Sequence, residues 1–184
     1  MVKIINVRGR QVFDSRGNPT IEAEVYLNNG ISTTAIAPSG ASTGAFEAHE
    51  LRDQDKNNFL GKSVHIAVNN INEKISSSLK GLDPLNQSKI DNVLLDLDGS
   101  ETKKNLGANA ILAVSLANSK SAALSNKNSL YKNLGKSFSL PNPLMNIING
   151  GAHADNDLKI QEFMVRPESP KNFMDAVHKC FLVI

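Results

Sequence analysis

Three stretches of this 184-residue chain combine residue types able to do chemistry. Pro38-Ser39-Gly40-Ala41-Ser42-Thr43-Gly44 gathers small and hydroxyl-bearing residues just after an apolar run. Small side chains let a backbone approach a ligand, and hydroxyls suit a phosphate or a hard cation. An ordinary surface loop has the same composition. No lysine follows at the spacing of a nucleotide-binding loop, and Gly61-Lys62-Ser63 lacks the earlier glycine because Lys56 stands there. In Asn149-Gly150-Gly151-Ala152-His153, paired glycines allow a tight turn after a strand, where barrels and open α/β sheets place ligands. His153 suits general acid/base work, contact with a phosphate or hydroxyl, or a hydrogen-bonded turn. Gln161 and Glu162 open the third stretch, Gln-Glu-Phe-Met-Val. They read as surface groups, or as a site pair if a bend re-aims one of them, since strand neighbours point to opposite faces. Asp155 and Asp157 lack further ligands at metal spacing and read as solvated loop acids. His49, His65 and His178 form no constellation.

The elements that must position these groups follow from periodicity. Ile4 to Phe13 reads as a strand, and Asp14-Ser15-Arg16-Gly17-Asn18-Pro19 as a turn. From Ile21 to Leu27 apolar and polar residues alternate, with Ile21, Ala23, Val25 and Leu27 on the inner face. Asn28-Asn29-Gly30 turns the chain into a third strand, Ile31 to Ala37, which completes an antiparallel meander. Helices follow. Val64, Val68, Ile71 and Ile75 make an apolar stripe, Ile90, Val93, Leu94 and Leu97 suggest a short helix, and Gly107 to Ala123 is apolar nearly all round, as a buried helix is. Strands followed by helices indicate an α+β domain. Near Gly135 the pattern changes. Leu144 to Ile148 and Ile160 to Val165 are short buried-strand candidates, and from Pro170 the residues Phe173, Ala176, Val177, Cys180, Phe181 and Ile184 recur at helical spacing. That stripe is still running at Ile184 without a capping signal, so the expectation is a helix severed from its packing partners.

Bulk properties narrow the class. Hydrophobic residues make up 40% and charged residues 21%, as in a globular domain. Twenty basic residues against 18 acidic give no footing for a nucleic-acid or membrane partner. Cys180 is the only cysteine, which excludes an internal disulfide and fits a reducing compartment. The first ten residues carry no signal-peptide pattern, so Asn86-Gln87-Ser88 is a chance sequon and the expected location is cytoplasmic.

Five segments in order carry a family resemblance: Phe13 to Thr20, Ser39 to Gly44, Leu106 to Leu112, Gly150 to Ala154, and Gln161 to Met164. Together they resemble enolase over nearly the whole chain. The resemblance implies an α+β capping domain, residues 1–135, made of a three-stranded antiparallel meander plus helices. Residues 136–184 would then be the truncated start of a β/α barrel whose first two strands run antiparallel. The implied reaction is the glycolytic, reversible dehydration of 2-phosphoglycerate to phosphoenolpyruvate with magnesium, in a homodimer. A base takes the proton beside the carboxylate, and two cations stabilise the enolate as hydroxide leaves.

By resemblance, Ser42 helps bind the second magnesium when its loop closes. His153 is the active-site histidine after the first barrel strand, Gln161 binds substrate, and Glu162 sits near the leaving hydroxyl. Arg10 and Glu22 resemble ion-pairing residues of the dimer interface. The family's base lysine, acid glutamate, three magnesium carboxylates, and the lysine and arginine on the substrate have no counterpart among these residues. The chain alone is therefore expected to be inactive. An alternative is a non-catalytic fragment that acts at most as a dimerisation or interaction module. A relative catalysing another enolate-forming reaction, such as racemisation, is disfavoured by the Ser39–Gly44 and Gly150–His153 segments.

Overall fold

The structure, a computed structural model, describes residues 1–40, 44 and 46–184. Three strands open the chain: β1 (Ile4–Phe13), β2 (Pro19–Leu27) and β3 (Ser32–Ala37). They form an antiparallel sheet in the order β1-β2-β3. Ile21, Ala23, Val25 and Leu27 are buried as the alternation requires. In β1 the buried positions are Ile4, Val7 and Gly9, a spacing of three and then two. A bulge between Ile4 and Asn6 explains the odd step, because it turns the exposed Ile5 outward and restores the register beyond it.

Helices cover one face of this sheet. The segment α1 (His65–Asn69) runs through a π turn (Asn70–Ile75) into α2 (Ser76–Leu79). Val64, Val68, Ile71 and Ile75 all enter the core, as their spacing predicts. Gly9 is a glycine for a packing reason: a Cβ there would lie 2.9 Å from Cβ of Ile71. Asn72 and Ser76 reach the outer edge of β1, accepting from the Gly9 and Val7 amides at 2.8 and 3.1 Å. Helix α3 (Gln87–Asp98) begins with Asn86 accepting from the Lys89 amide and ends at Gly99, in left-handed conformation. It buries Ile90 and Leu94 but leaves Leu97 exposed, so its apolar stripe is narrower than the sequence suggests.

Helix α4 (Ala108–Ser125) packs on β2 and β3 through Ala110, Ala113, Val114 and Ala117. Small side chains bring its backbone close enough for the Thr33 hydroxyl to donate to the Ala117 carbonyl at 2.7 Å. The expectation that this helix is buried all round fails on one side, where Leu112, Leu116 and Leu124 are exposed. A short α5 (Leu130–Leu134) follows. The chain divides into two compact units, Met1–Lys136 and Ser137–Ile184.

In the second unit, β4 (Met145–Asn149) and β5 (Glu162–Val165) pair antiparallel, and α6 (Phe173–Phe181) follows. Asn172 caps α6 by accepting from the Asp175 amide. Ala176 and Cys180 are buried. The sequence suggests buried strands, but Ile148, Phe163 and Met164 are exposed, as are Phe173, Phe181 and Ile184 of the predicted helical stripe. Two strands and one helix cannot cover both faces of a sheet, so the apolar pattern exceeds the burial available within this unit. No closed barrel is present among the described residues.

Candidate functional site

Strand β4 ends at Asn149 opposite Glu162, where β5 begins. The loop between them folds back on itself. The Gly150 amide donates to the Gln161 carbonyl at 2.9 Å, and the Gly151 amide to the Leu158 carbonyl at 2.6 Å. Both glycines are needed, for different reasons. A Cβ on Gly150 would lie 2.5 Å from the Ile160 carbonyl oxygen, whereas Gly151 has φ +54, in the left-handed region. A single 3-10 turn, Gly151–His153, then carries His153 round, with its amide donating to the Gly150 carbonyl at 3.0 Å. The Asn156 side chain closes the loop by donating to the Asn149 carbonyl at 2.9 Å.

His153 and Glu162 meet as a result. Nδ1 of the imidazole lies 3.1 Å from Oε1 of Glu162, and both side chains are half-buried. With Nδ1 as donor, Nε2 becomes the acceptor of a neutral ring or the second donor of a charged one. The chain bends at Ile160 and Gln161 before β5 starts, so Gln161 stands outside the strand's alternation. Its Cγ lies against Gly151, 3.1 Å from where a Cβ would be. Asp155 and Asp157 are exposed.

In the first unit, Ser42 lies outside the described residues. The described flanks of its loop are pinned. Ser39 donates to Glu50 at 2.5 Å, and the Gly44 amide donates to Glu47 at 2.8 Å. A depression of about 540 Å³ beside them is lined by Pro38, Ser39, Glu47, His49, Glu50 and Asn109, among others. Arg10 pairs within its own chain, with Glu22 at 3.2 Å and with Glu24. Burial lowers the Arg10 pKa, but the hydrogen bond and charge of Glu24, and the charge of Glu22, outweigh it and raise the net value. Glu24 is held below its ordinary value, first by the hydrogen bond from Tyr26.

Sequence reasoning missed Arg52, whose side chain is 15% exposed and which holds Glu50 at 2.8 Å. Only Glu50 is a near neighbour in sequence; Ser39, Lys62 and Pro19 lie 10 or more positions away, so no local pattern marks the side chain. Among the described residues no group of three or more His, Cys, Asp or Glu could hold a metal ion.

A meander covered by helices, followed by an antiparallel strand pair and a helix with a His–Glu pair at the strand ends, defines an α+β domain joined to the opening of a β/α barrel. The family model for the enolase N-terminal domain matches residues 4–134, and that for the enolase C-terminal TIM barrel domain matches residues 137–183. The chain belongs to the enolase family. It is 56% identical over 186 residues to an enolase of Pelagibacter ubique (strain HTCC1062), an alignment covering 100% of this chain and 44% of that relative. The chain therefore spans less than half the length of the relative it matches. No helix among the described residues is long and apolar enough to cross a membrane.

Proposed function

We propose that this chain carries one part of an enolase active site, for the reversible dehydration of 2-phosphoglycerate to phosphoenolpyruvate in glycolysis. Residues 1–135 form the capping domain and 136–184 the start of the barrel. The observation that carries the reading is the 3.1 Å contact between His153 Nδ1 and Glu162 Oε1, formed at the strand ends beside Gln161. Glu162 is held by the imidazole through one oxygen and offers the other to the leaving hydroxyl and its proton. His153 keeps Nε2 for the substrate. Gln161 offers an amide donor and acceptor to the substrate's polar groups.

Magnesium is the cofactor of this reading, and Ser42 is the donor this chain contributes. The remaining ligands lie outside the described residues. The enzyme is a cytoplasmic homodimer, with no nucleic-acid or membrane partner. Arg10 and Glu22 belong to its interface, and their position on the sheet face opposite the buried Ala23 and Val25 supports that assignment.

The 184 residues alone are expected to show no turnover, because the family's base lysine and first-magnesium carboxylates have no counterpart among them. The test joins them to the part of the Pelagibacter ubique enolase beyond the matched stretch. Magnesium-dependent dehydration of 2-phosphoglycerate by that chimera is the expected result. A folded but inert chimera would overturn the reading.

A further inference from the structure

Ser39 is the second residue beyond β3 and the last described hydroxyl before Ser42. It does not stand free. Its Oγ donates to Glu50 Oε1 at 2.5 Å and accepts from Arg52 Nη2 at 2.7 Å, while the same Nη2 donates to Glu50 at 2.8 Å. The three groups close a triangle of charge-assisted hydrogen bonds. The other guanidinium nitrogen, Nη1, donates to the Pro19 carbonyl at 3.1 Å and to the Lys62 carbonyl. Arg52 thereby ties together the start of β2, the turn before α1, and the stem of the 38–44 loop.

The segment that carries Arg52 is itself fixed to the N-terminal end of α4. The Leu51 amide donates to Asn109 Oδ1 at 3.2 Å, and Asn109 Nδ2 donates to the Leu51 carbonyl at 3.1 Å. Two residues earlier, the Ala108 amide donates to the His49 carbonyl at 2.8 Å, and the His49 amide to the Thr102 carbonyl at 2.6 Å. Gly107 has no room for a side chain, because a Cβ would lie 2.6 Å from Leu51 Cβ. The clasp therefore rests on a segment braced at His49 and Leu51, the residues that flank Glu50.

We propose that Arg52, acting with Glu50, is a positioning residue for Ser39, the point at which the chain leaves the sheet and runs on toward Ser42. A lysine cannot replace it, since a single ammonium cannot span Pro19, Lys62, Glu50 and Ser39 in one planar fork. The proposal rests on the reading of 38–44 as the loop that brings Ser42 to a cation. Its test needs neither magnesium nor substrate, so either idea can fail while the other stands.

The measurement is the backbone ¹⁵N order parameter of Ser39 in this chain and in three variants, Ser39→Ala, Ser39→Thr and Arg52→Lys. In the parent chain Ser39 should be as rigid as β3, with a value of about 0.85. In Ser39→Ala and Arg52→Lys it should fall below about 0.6, while β1 to β3 stay unchanged. Ser39→Thr, which keeps the hydroxyl, should restore the parent value. A rigid residue 39 in all three variants overturns the proposal. So does a loss of order spread across the whole sheet, which would make Arg52 a general stabiliser.

Discussion

The two units treat the same kind of apolar pattern in opposite ways. In Met1–Lys136 nearly every inward position of the three strands finds a helix over it, and one cluster from Ile4 to Ala117 forms the core. In Ser137–Ile184 equally apolar strands and a strongly amphipathic helix bury only Ala176 and Cys180 among their hydrophobic side chains. Periodicity thus reports which face wants burial, and the number of layers present decides whether it is buried. The second unit nevertheless assembles its His–Glu pair. That geometry depends on loop closure through Gly150, Gly151 and Asn156, with no core beneath it.

The largest expected effect sharpens this contrast. Ile71→Ala in the first unit should cost about 2–5 kcal/mol, because it empties a fully buried site. Phe181→Ala in the second unit, 70% exposed, should cost about 0.5 kcal/mol or less. Urea unfolding of both variants compares them directly, and equal losses would break the contrast.

Next comes Asp98, which is buried and accepts from the amides of Ser100, Asn105 and Leu106 at 3.0, 3.1 and 2.7 Å. Asp98→Ala leaves those amides without a partner and should cost about 1–3 kcal/mol by the same measurement. The same carboxylate makes the first unit acid-sensitive. Burial raises the Asp98 pKa, but the bonds from Ser100, Leu106 and Asn105 together lower it. Asp53 behaves alike: burial raises its pKa, and bonds from the Ile66 and His65 amides bring it down. A depressed folded pKa contributes stability that is present above the ordinary carboxylate value and lost as pH falls through the folded value. The thermal midpoint should therefore drop below about pH 4, and drop less steeply in Asp98→Ala. A flat profile between pH 5 and pH 3 would contradict this. The smallest effect belongs to the outer face of α4. Leu112→Lys should change stability by no more than about 0.5 kcal/mol, since that side chain is 51% exposed.

Much of the first unit was legible because its signals are local. Alternation from Ile21 to Leu27 gives both the strand and its inner face, and Val64 to Ile75 gives the helix stripe. Periodicity could not show that Leu97, Leu112, Leu116 and Leu124 lack cover, since it carries no count of partners. The candidate site was half legible. Paired glycines and the polar pair at 161 and 162 mark it, and the chain bends at Ile160 and Gln161 before β5 begins. The meeting of His153 with Glu162 depends on hydrogen bonds across the loop that no spacing encodes. Arg52 and Asp98 escaped notice for a like reason: Asp98 is held mainly by backbone amides, and Arg52 by two backbone carbonyls together with Ser39 and Glu50. Ser42 belongs to the resemblance and lies outside the described residues.

The His153–Glu162 pair is proposed as part of a dehydratase site. Its most direct test is Glu162→Gln in the chimera with the Pelagibacter ubique enolase, assayed with 2-phosphoglycerate and magnesium. The expected result is a fall in kcat of about 10²–10⁴-fold with KM little changed, because the substitution keeps the shape and removes the proton-handling carboxylate. A kcat equal to that of the unsubstituted chimera would contradict it.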